Sequence, residues 1–536
     1  MLPARNARFY RYTFATLVAL VFVYRAWFMS ALPLSGDEAY HWEWSRRPAA
    51  GYYDHPGLTA YLIRLSTALL GRSTEFSVRL PALLCLLLST VVAYAFSRRI
   101  ARERGLSATA AERAGFLAGV LLLFVPVFAV FSVYMSTDPP LLLFWTVTLY
   151  LADRAVKDGA WRDWLGLGVA VGLAMLSKFL AFFLVPVLGL FVLICPENRR
   201  WFRRPQGYVA AGLALLTFSP FLWWNATHGW ATFVFNFMTR QKYEPAGLRY
   251  LAEFAVTETV AFSPGLLLFG LYGAFRALRE YRREGGRSAL LLGLAFAVPF
   301  TYFLLQSFTR RIGAHWPTVA KIGMLVYLPY DWERTAADGP RRTVQRLKRW
   351  SVGLCVALTA LLHVGVFVPL RLAQRPWFYS GMPDRINTRV LLEFFGWDLL
   401  GARVQAVYDQ MLQAQRARRG VFVICPRYGV AAAVAFYTPR QLRTHLWAPR
   451  RTHGENYRFW DDYASMKGQD AIFVTKKGLA RVESQRAHLR GYFDTVADPE
   501  PVPVVVGGRE VRRFHLVRCR GFNGQVPQFR APEQGR

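Results

Sequence analysis

The densest gathering of residues able to do chemistry lies in one polar segment between apolar runs. It reads Ser35-Gly36-Asp37-Glu38-Ala39-Tyr40-His41-Trp42-Glu43-Trp44, then Gly51-Tyr52-Tyr53-Asp54-His55-Pro56. Adjacent carboxylates let one acid, Asp37 or Glu38, take a proton as general base while its neighbour orients an acceptor or tunes the first. The same residues also serve structure, since Ser35 with Glu38 fits the S-x-x-E box that caps a helix, here one running to about Arg47. Asp54-His55-Pro56 has two readings as well. It is either a cap and first-turn proline for an amphipathic helix over Leu58–Leu70, or a helix start where His55 holds an anion.

Three later positions add to this set. Ser136-Thr137-Asp138-Pro139-Pro140 places Asp138 at a helix start, as a cap or a supporting acid. Lys178 interrupts an apolar run from Leu165 to Leu190, where it either snorkels to an interface or binds phosphate. Arg310 and Arg311 stand just before Gly313-Ala314-His315-Trp316-Pro317. A carboxylate base beside such cations suits a transfer whose leaving group is a lipid phosphate. The cations stabilise charge growing on the phosphate oxygen, and the carboxylate accepts the proton of the attacking group.

The elements that must position these groups are apolar. Of 536 residues, 54% are hydrophobic and 19% charged, and the two kinds are segregated along the chain. Runs of roughly 16–22 apolar residues recur between Arg-rich stretches, as needed to cross a hydrocarbon layer of about 30 Å. A single soluble domain, a disordered chain and a disulfide scaffold are excluded. About eleven spans are expected: Thr13–Leu32, Leu80–Ser97, Ala114–Val133, Pro139–Ala152, Trp164–Leu176, Phe179–Ile194, Tyr208–Trp224, Thr257–Phe275, Ser288–Phe308, His315–Tyr330 and Ser351–Leu370. The first is too long for a signal peptide and reads as an uncleaved helix.

Arginines cluster at 98–104, 199–204, 276–283 and 341–349, all on the side of the N-terminus, which is therefore expected to be cytoplasmic. Those loops also account for the net charge of +32, from 66 Lys and Arg against 34 Asp and Glu, without a nucleic-acid partner. The connections at 33–78, 135–138, 177–178, 225–256 and 309–314 then face outward and carry Asp37, Glu38, His55, Asp138, Lys178 and Arg310. Arg310 and Arg311 fall on the face that disfavours cations, and an anionic ligand there supplies a reason for them.

From about Ala373 the composition becomes that of a soluble domain. Val421–Cys425 and Ala471–Thr475 read as buried strands, and Pro503–Val506 with Val511–Val517 as a hairpin around Gly507-Gly508. The expected architecture is a polytopic α-helical membrane domain over 1–372, with a large first outer loop at 33–78, and a periplasmic α/β domain over 373–536. Cys425 and Cys519 are candidates for a disulfide if that domain faces an oxidising compartment.

At these residues the chain resembles the bacterial GT-C polyprenyl-phosphate-sugar glycosyltransferases, relatives of protein O-mannosyltransferases and of the aminoarabinose transferase that modifies lipid A. The resemblance rests on Asp37-Glu38, Gly51-Tyr-Tyr-Asp54-His55-Pro56, Thr137-Asp138-Pro-Pro, Leu176-Ser-Lys178 and His315-Trp316-Pro317. In the tail it extends to Phe394-Phe-Gly-Trp397, Arg427-Tyr428-Gly, Ala435-Phe-Tyr437, Asn456-Tyr-Arg-Phe459-Trp460 and Asp470-Ala-Ile-Phe-Val-Thr475. It implies that Asp37 is the catalytic acid of the first loop and Glu38 its acidic neighbour, supported by Asp54 and Asp138. Donor phosphate would meet His55, Lys178, Arg310 and Arg311, with Tyr40, Tyr53, His315 and Trp316 around the substrate. His55 stands where the aminoarabinose transferases carry Lys, and Tyr40 where they carry Arg, so phosphate binding shifts toward Lys178 and the arginines.

The implied activity is inverting transfer of a sugar from polyprenyl phosphate, undecaprenyl phosphate in bacteria, to a cell-envelope acceptor at the outer face of the inner membrane. No cofactor is expected, although some GT-C relatives use a divalent metal. Two rivals are a transporter or flippase of lipid-linked sugars, which predicts mid-span ionisable groups and interrupted helices, and a polymerase or ligase using lipid diphosphate donors.

Overall fold

The structure is a computed structural model, described here for residues 6–239, 248–337, 342–372, 396–414, 420–447, 455–476, 478–506 and 509–527. Helix α1 (Ala7–Ser30), capped by Asn6, delivers the chain to the polar loop. There α2 (Gly36–Arg46) begins with the expected capping box: the Ser35 side chain accepts the Glu38 N–H (3.2 Å), and Glu38 Oε2 accepts the Ser35 N–H (3.0 Å). The amphipathic α3 (Leu58–Leu69) follows, then α4 (Glu75–Glu103), which carries a second box between Thr74 and Ser77. Asp54 does not cap α3. That helix starts after Gly57 without a side-chain cap, and residues 51–56 close on themselves through a bridge between Gly51 and Pro56.

The bundle continues through α5 (Ala108–Phe124), α6 (Pro126–Phe131), α7 (Asp138–Asp158), α8 (Trp161–Ser177), α9 (Leu184–Ile194), α10 (Pro205–Thr227) and the short α11 (Ala231–Phe233). It is completed by α12 (Leu248–Phe262), α13 (Pro264–Glu284), α14 (Arg287–Gln306), α15 (Thr318–Ala337) and α16 (Arg342–Leu372). Phe96, Leu122, Trp145, Leu291 and Tyr327 are among the side chains of its shared core. Among the described residues five helices are by themselves long and apolar enough to cross a membrane: α1, α4, α10, α14 and the Thr343–Gly365 part of α16. Two further pairs qualify only if a sharp bend is allowed, α12 with α13 (100°) and Phe179–Ile194 with Pro196–Arg203 (107°).

Two apolar runs that read as continuous spans are thus broken. Ala114–Val133 divides at Val125, and Thr257–Phe275 turns at Ser263, whose φ of 74° lies where residues other than glycine are strained. In both, the next residue is a proline that opens the following helix, since its ring and missing N–H forbid continuation of the one before. A third interruption comes at Lys178, which is extended (φ −163°, ψ 148°) between α8 and a 3₁₀ turn at Phe179–Phe183.

The arginines gather at one end of the bundle in ion pairs such as Arg104–Glu280 (2.9 Å), Arg99–Asp158 (2.8 Å) and Arg334–Glu284 (2.8 Å). The polar loop is at the other end. The 29 residues of α4 connect the two, a distance of roughly 43 Å at helical rise. One pair departs from this segregation: Lys321 and Glu258, both fully buried, meet at 2.9 Å between α15 and α12.

The tail contributes α17 (Trp397–Ala414), β1 (Val421–Cys425), α18 (Tyr428–Tyr437), β2 (Thr444–Leu446), α19 (Tyr457–Trp460), β3 (Asp470–Thr475), α20 (Leu479–Leu489), β4 (Phe493–Val496), β5 (Glu500–Val506) and β6 (Arg509–Phe522). The sheet runs β2-β1-β3-β6-β4, with β5 also on β6; β1 is parallel to β2 and β3, and β6 is antiparallel to its neighbours. The two expected buried strands and the hairpin are present. The turn at Gly507-Gly508, the change of composition near Ala373 and the Phe394-Phe395 pair lie outside the described residues. Cys425 and Cys519 are free and buried, on strands separated by β3 and in clusters on opposite faces of the sheet, so the disulfide is ruled out by topology.

Candidate active site

Asp37 and Glu38 are neighbours in sequence, and α2 turns them about 100° apart, so they meet different surroundings. Glu38 faces inward and is fully buried, accepting from Arg79 Nε (2.6 Å) and Nη2 (2.7 Å) and from the Met135 N–H (3.1 Å). Arg79 also donates to the carbonyls of Met29 (2.8 Å), Leu32 (2.6 Å) and Pro33 (2.8 Å). The pair staples the end of α1 to the start of α2. With its oxygens so engaged, Glu38 does not line the cavity described below, so the two carboxylates paired in the sequence reading are not side by side in the site. Asp37 is exposed, and its Oδ1 accepts from the Tyr428 hydroxyl at 2.7 Å.

The other acids each meet a different donor. Asp54, nearly fully buried, accepts from the Tyr40 hydroxyl (2.8 Å). Asp138 is not the cap expected; it is the first residue of α7, and both its oxygens accept from Lys178 Nζ at 2.8 Å. That pair is buried, Lys178 at 6% exposed and Asp138 at 4%, so Lys178 does not snorkel to an interface. The break after α8 is what carries its amine inward. His41 Nδ1 is 2.8 Å from the Asp37 carbonyl oxygen, which only accepts, so Nδ1 carries the proton. Burial pushes the His41 pKa below its usual value, against the pull of Asp37, Asp54 and Glu38, and the ring is therefore neutral at pH 7. Burial first, and then the Asp37 carboxylate, hold the Tyr428 phenol far above its ordinary range, so it remains a donor.

Asp37, Tyr40, Asp54, His55, Asp138, Lys178 and His315 line one cavity of about 760 Å³, together with His41, Tyr134 and Tyr428. A second, apolar groove of about 390 Å³ is lined by Phe179, Phe182, Phe183, Phe237 and Phe303, with Arg310 and Trp316 also in its wall. His55 and Lys178 border both. Two expected residues lie elsewhere. Arg311 is largely exposed and pairs with Glu253 (3.0 Å), and Tyr53 is buried between Phe235 and Phe459 with its N–H donating to Asn456. Among the described residues no group of three or more His, Cys, Asp or Glu is arranged to hold a metal ion.

Sequence reasoning missed Arg79, Tyr134 and His41 and did not assign Tyr428 a role. Arg79 sits at the edge of an apolar run, where one cation looks topogenic. Its burial beside an acid 41 positions away has no local signature.

The arrangement of a helical bundle, a first loop that bears the acids and a C-terminal sheet domain has its match among solved structures. The chain aligns over 96% of its length, and 98% of the other, with crystal structures of ArnT from Cupriavidus metallidurans, in the apo state (TM-score 0.59, 16% identity) and bound to undecaprenyl phosphate (TM-score 0.57, 15% identity). Residues 54–224 match the dolichyl-phosphate-mannose-protein mannosyltransferase family. Among curated proteins, the lipid A galacturonosyltransferase RgtD of Rhizobium johnstonii is 27% identical over 299 residues, 55% of this chain and 60% of that protein. The undecaprenyl phosphate-alpha-4-amino-4-deoxy-L-arabinose arabinosyl transferase of Pseudomonas aeruginosa is 28% identical over 33% of this chain and 31% of its own length. The chain thus spans at most 60% of the length of these curated relatives.

Proposed function

We propose that the protein is an inverting glycosyltransferase that moves a sugar from polyprenyl phosphate, undecaprenyl phosphate in bacteria, to a cell-envelope acceptor at the outer face of the inner membrane. The observation that carries this reading is the meeting of an apolar groove with an acid-lined cavity at Lys178 and His55. A lipid chain fits the groove, its phosphate meets the cations at the junction, and the sugar projects into the cavity toward Asp37. An acceptor oxygen attacks the anomeric carbon as the bond to the phosphate oxygen breaks. The electron pair leaves on the phosphate beside Lys178, Arg310 and His55, and the acceptor proton passes to Asp37. If the acceptor is an ionised phosphate, Asp37 positions it. Glu38 and Arg79 act by holding α2, and Arg311 lies outside the site. We assign no metal to the reaction, since Asp37, Asp54 and Asp138 are each engaged by a different donor, and chelator is expected to leave the rate unchanged.

The broken helices and the buried Lys321–Glu258 pair beside the bend at Ser263 are features that a transporter would share. Neither side chain lines the cavity or the groove described above, which favours transfer over passage. The test is turnover by the purified full-length protein of a polyprenyl-phosphate sugar with envelope lipid extract as acceptor. Transfer reads out as released polyprenyl monophosphate, which Asp37→Asn cuts to a small residual rate while folding is retained. Released diphosphate, or movement of intact donor across a vesicle bilayer without bond cleavage, would refute it.

A further inference from the structure

The C-terminal domain touches the candidate base directly, and its position is fixed on both sides of that contact. α18 crosses the start of α2 so closely that a Cβ on Gly36 would lie 2.9 Å from the Gly429 Cα and carbonyl oxygen. Only a glycine at 36 permits that approach. At the far end of α18, Tyr437 accepts the Leu34 N–H (2.6 Å) and donates to Glu75 (3.1 Å), and Phe436 packs edge-on against Trp42 at 5.0 Å. A second tail segment reaches the other half of the loop. Asn456 accepts the Tyr53 N–H (2.9 Å) and donates its own N–H to the Tyr40 hydroxyl (3.3 Å), which in turn donates to Asp54. Arg46 at the end of α2 closes the contact on the Gln441 carbonyl (2.8 Å).

Within that frame the Tyr428 ring rests against Tyr40 (4.9 Å between centroids) and its hydroxyl donates to Asp37 Oδ1. A carboxylate has two oxygens. With Oδ1 held, Oδ2 is the one left to meet an acceptor. We infer that the tail domain is a working part of the catalytic cavity and that Tyr428 is a positioning residue, fixing the Asp37 carboxylate so that Oδ2 receives the acceptor proton. The inference rests on the proposed transfer reaction and assigns it a residue 391 positions from the one it serves.

The experiment uses full-length protein with Tyr428→Phe, which keeps the ring against Tyr40 and removes only the donor. Turnover is expected to fall roughly 10- to 100-fold, with the donor KM within about twofold of wild type, because one charge-assisted hydrogen bond and the aim of a base are lost. Unfolding should be unchanged, and Tyr428→Phe added to Asp37→Asn should cost nothing further, as groups acting as a unit do. An active wild type with kcat unaltered by Tyr428→Phe overturns the inference while leaving the proposed reaction intact. An unchanged kcat with a raised donor KM also overturns it, as does additive loss in the double variant. A wild type that transfers no sugar overturns the proposed reaction and this inference with it.

Discussion

Replacing Glu38 separates holding from chemistry. Arg79 makes five hydrogen bonds, two to Glu38 and three to carbonyls at the end of α1, with the guanidinium side chain 2% exposed and the carboxylate 0%. Removing one partner of such a pair leaves a buried charge uncompensated, at a cost of about 3–5 kcal/mol. Glu38→Gln keeps the capping geometry and should fall near the lower figure; Glu38→Leu also gives up the box and the Met135 N–H, adding about 1 kcal/mol. Leu at 38 combined with Met at 79 should recover only part of the loss, because the carbonyls of Met29, Leu32 and Pro33 remain without a donor. Equilibrium unfolding in mixed micelles measures the stability, and turnover per folded molecule measures the chemistry. In Glu38→Gln the first should drop sharply and the second by less than in Asp37→Asn. Unaltered unfolding with activity as low as that of Asp37→Asn would put Glu38 at the reacting atoms and refute its holding role.

Lys178→Met should lower donor turnover about 10²-fold through the lost phosphate cation and also destabilise by stranding Asp138; adding Asp138→Asn should restore unfolding without restoring turnover. Arg310→Ala should raise the donor KM, whereas Arg311→Ala, which breaks an exposed pair, should alter neither kinetics nor stability by more than about 1 kcal/mol. Equal effects of the two would displace the groove as the phosphate's approach. His41 is held neutral by burial, so the unfolded chain binds its proton first as pH falls through about 6.5. Stability should therefore decline from pH 7.5 to pH 5.5, and His41→Gln should flatten that decline; identical slopes would show that His41 titrates normally.

What could be read from the sequence was local. The Ser35–Glu38 box, the helix over Leu58–Leu69, the paired strands of the tail and the convergence of Asp37, His55, Asp138 and Lys178 follow from caps, periodicity and the placement of charge. The breaks at Ser263 and Val125 escaped because hydropathy is blind to a proline that opens a helix inside an apolar run. Glu38 looked as reactive as Asp37 because its neutraliser, Arg79, comes from another helix. The tail motif Arg427-Tyr428-Gly was visible as a family likeness, but nothing along the chain links Tyr428 to Asp37. A pairing across nearly four hundred residues leaves no trace in composition or periodicity.

The glycine crossing of α18 on α2 also bears on biogenesis. The ribosome makes the first loop 391 positions ahead of the tyrosine that clasps it. A nascent chain halted before Arg427 therefore carries its base without its clasp, however well its early helices have inserted.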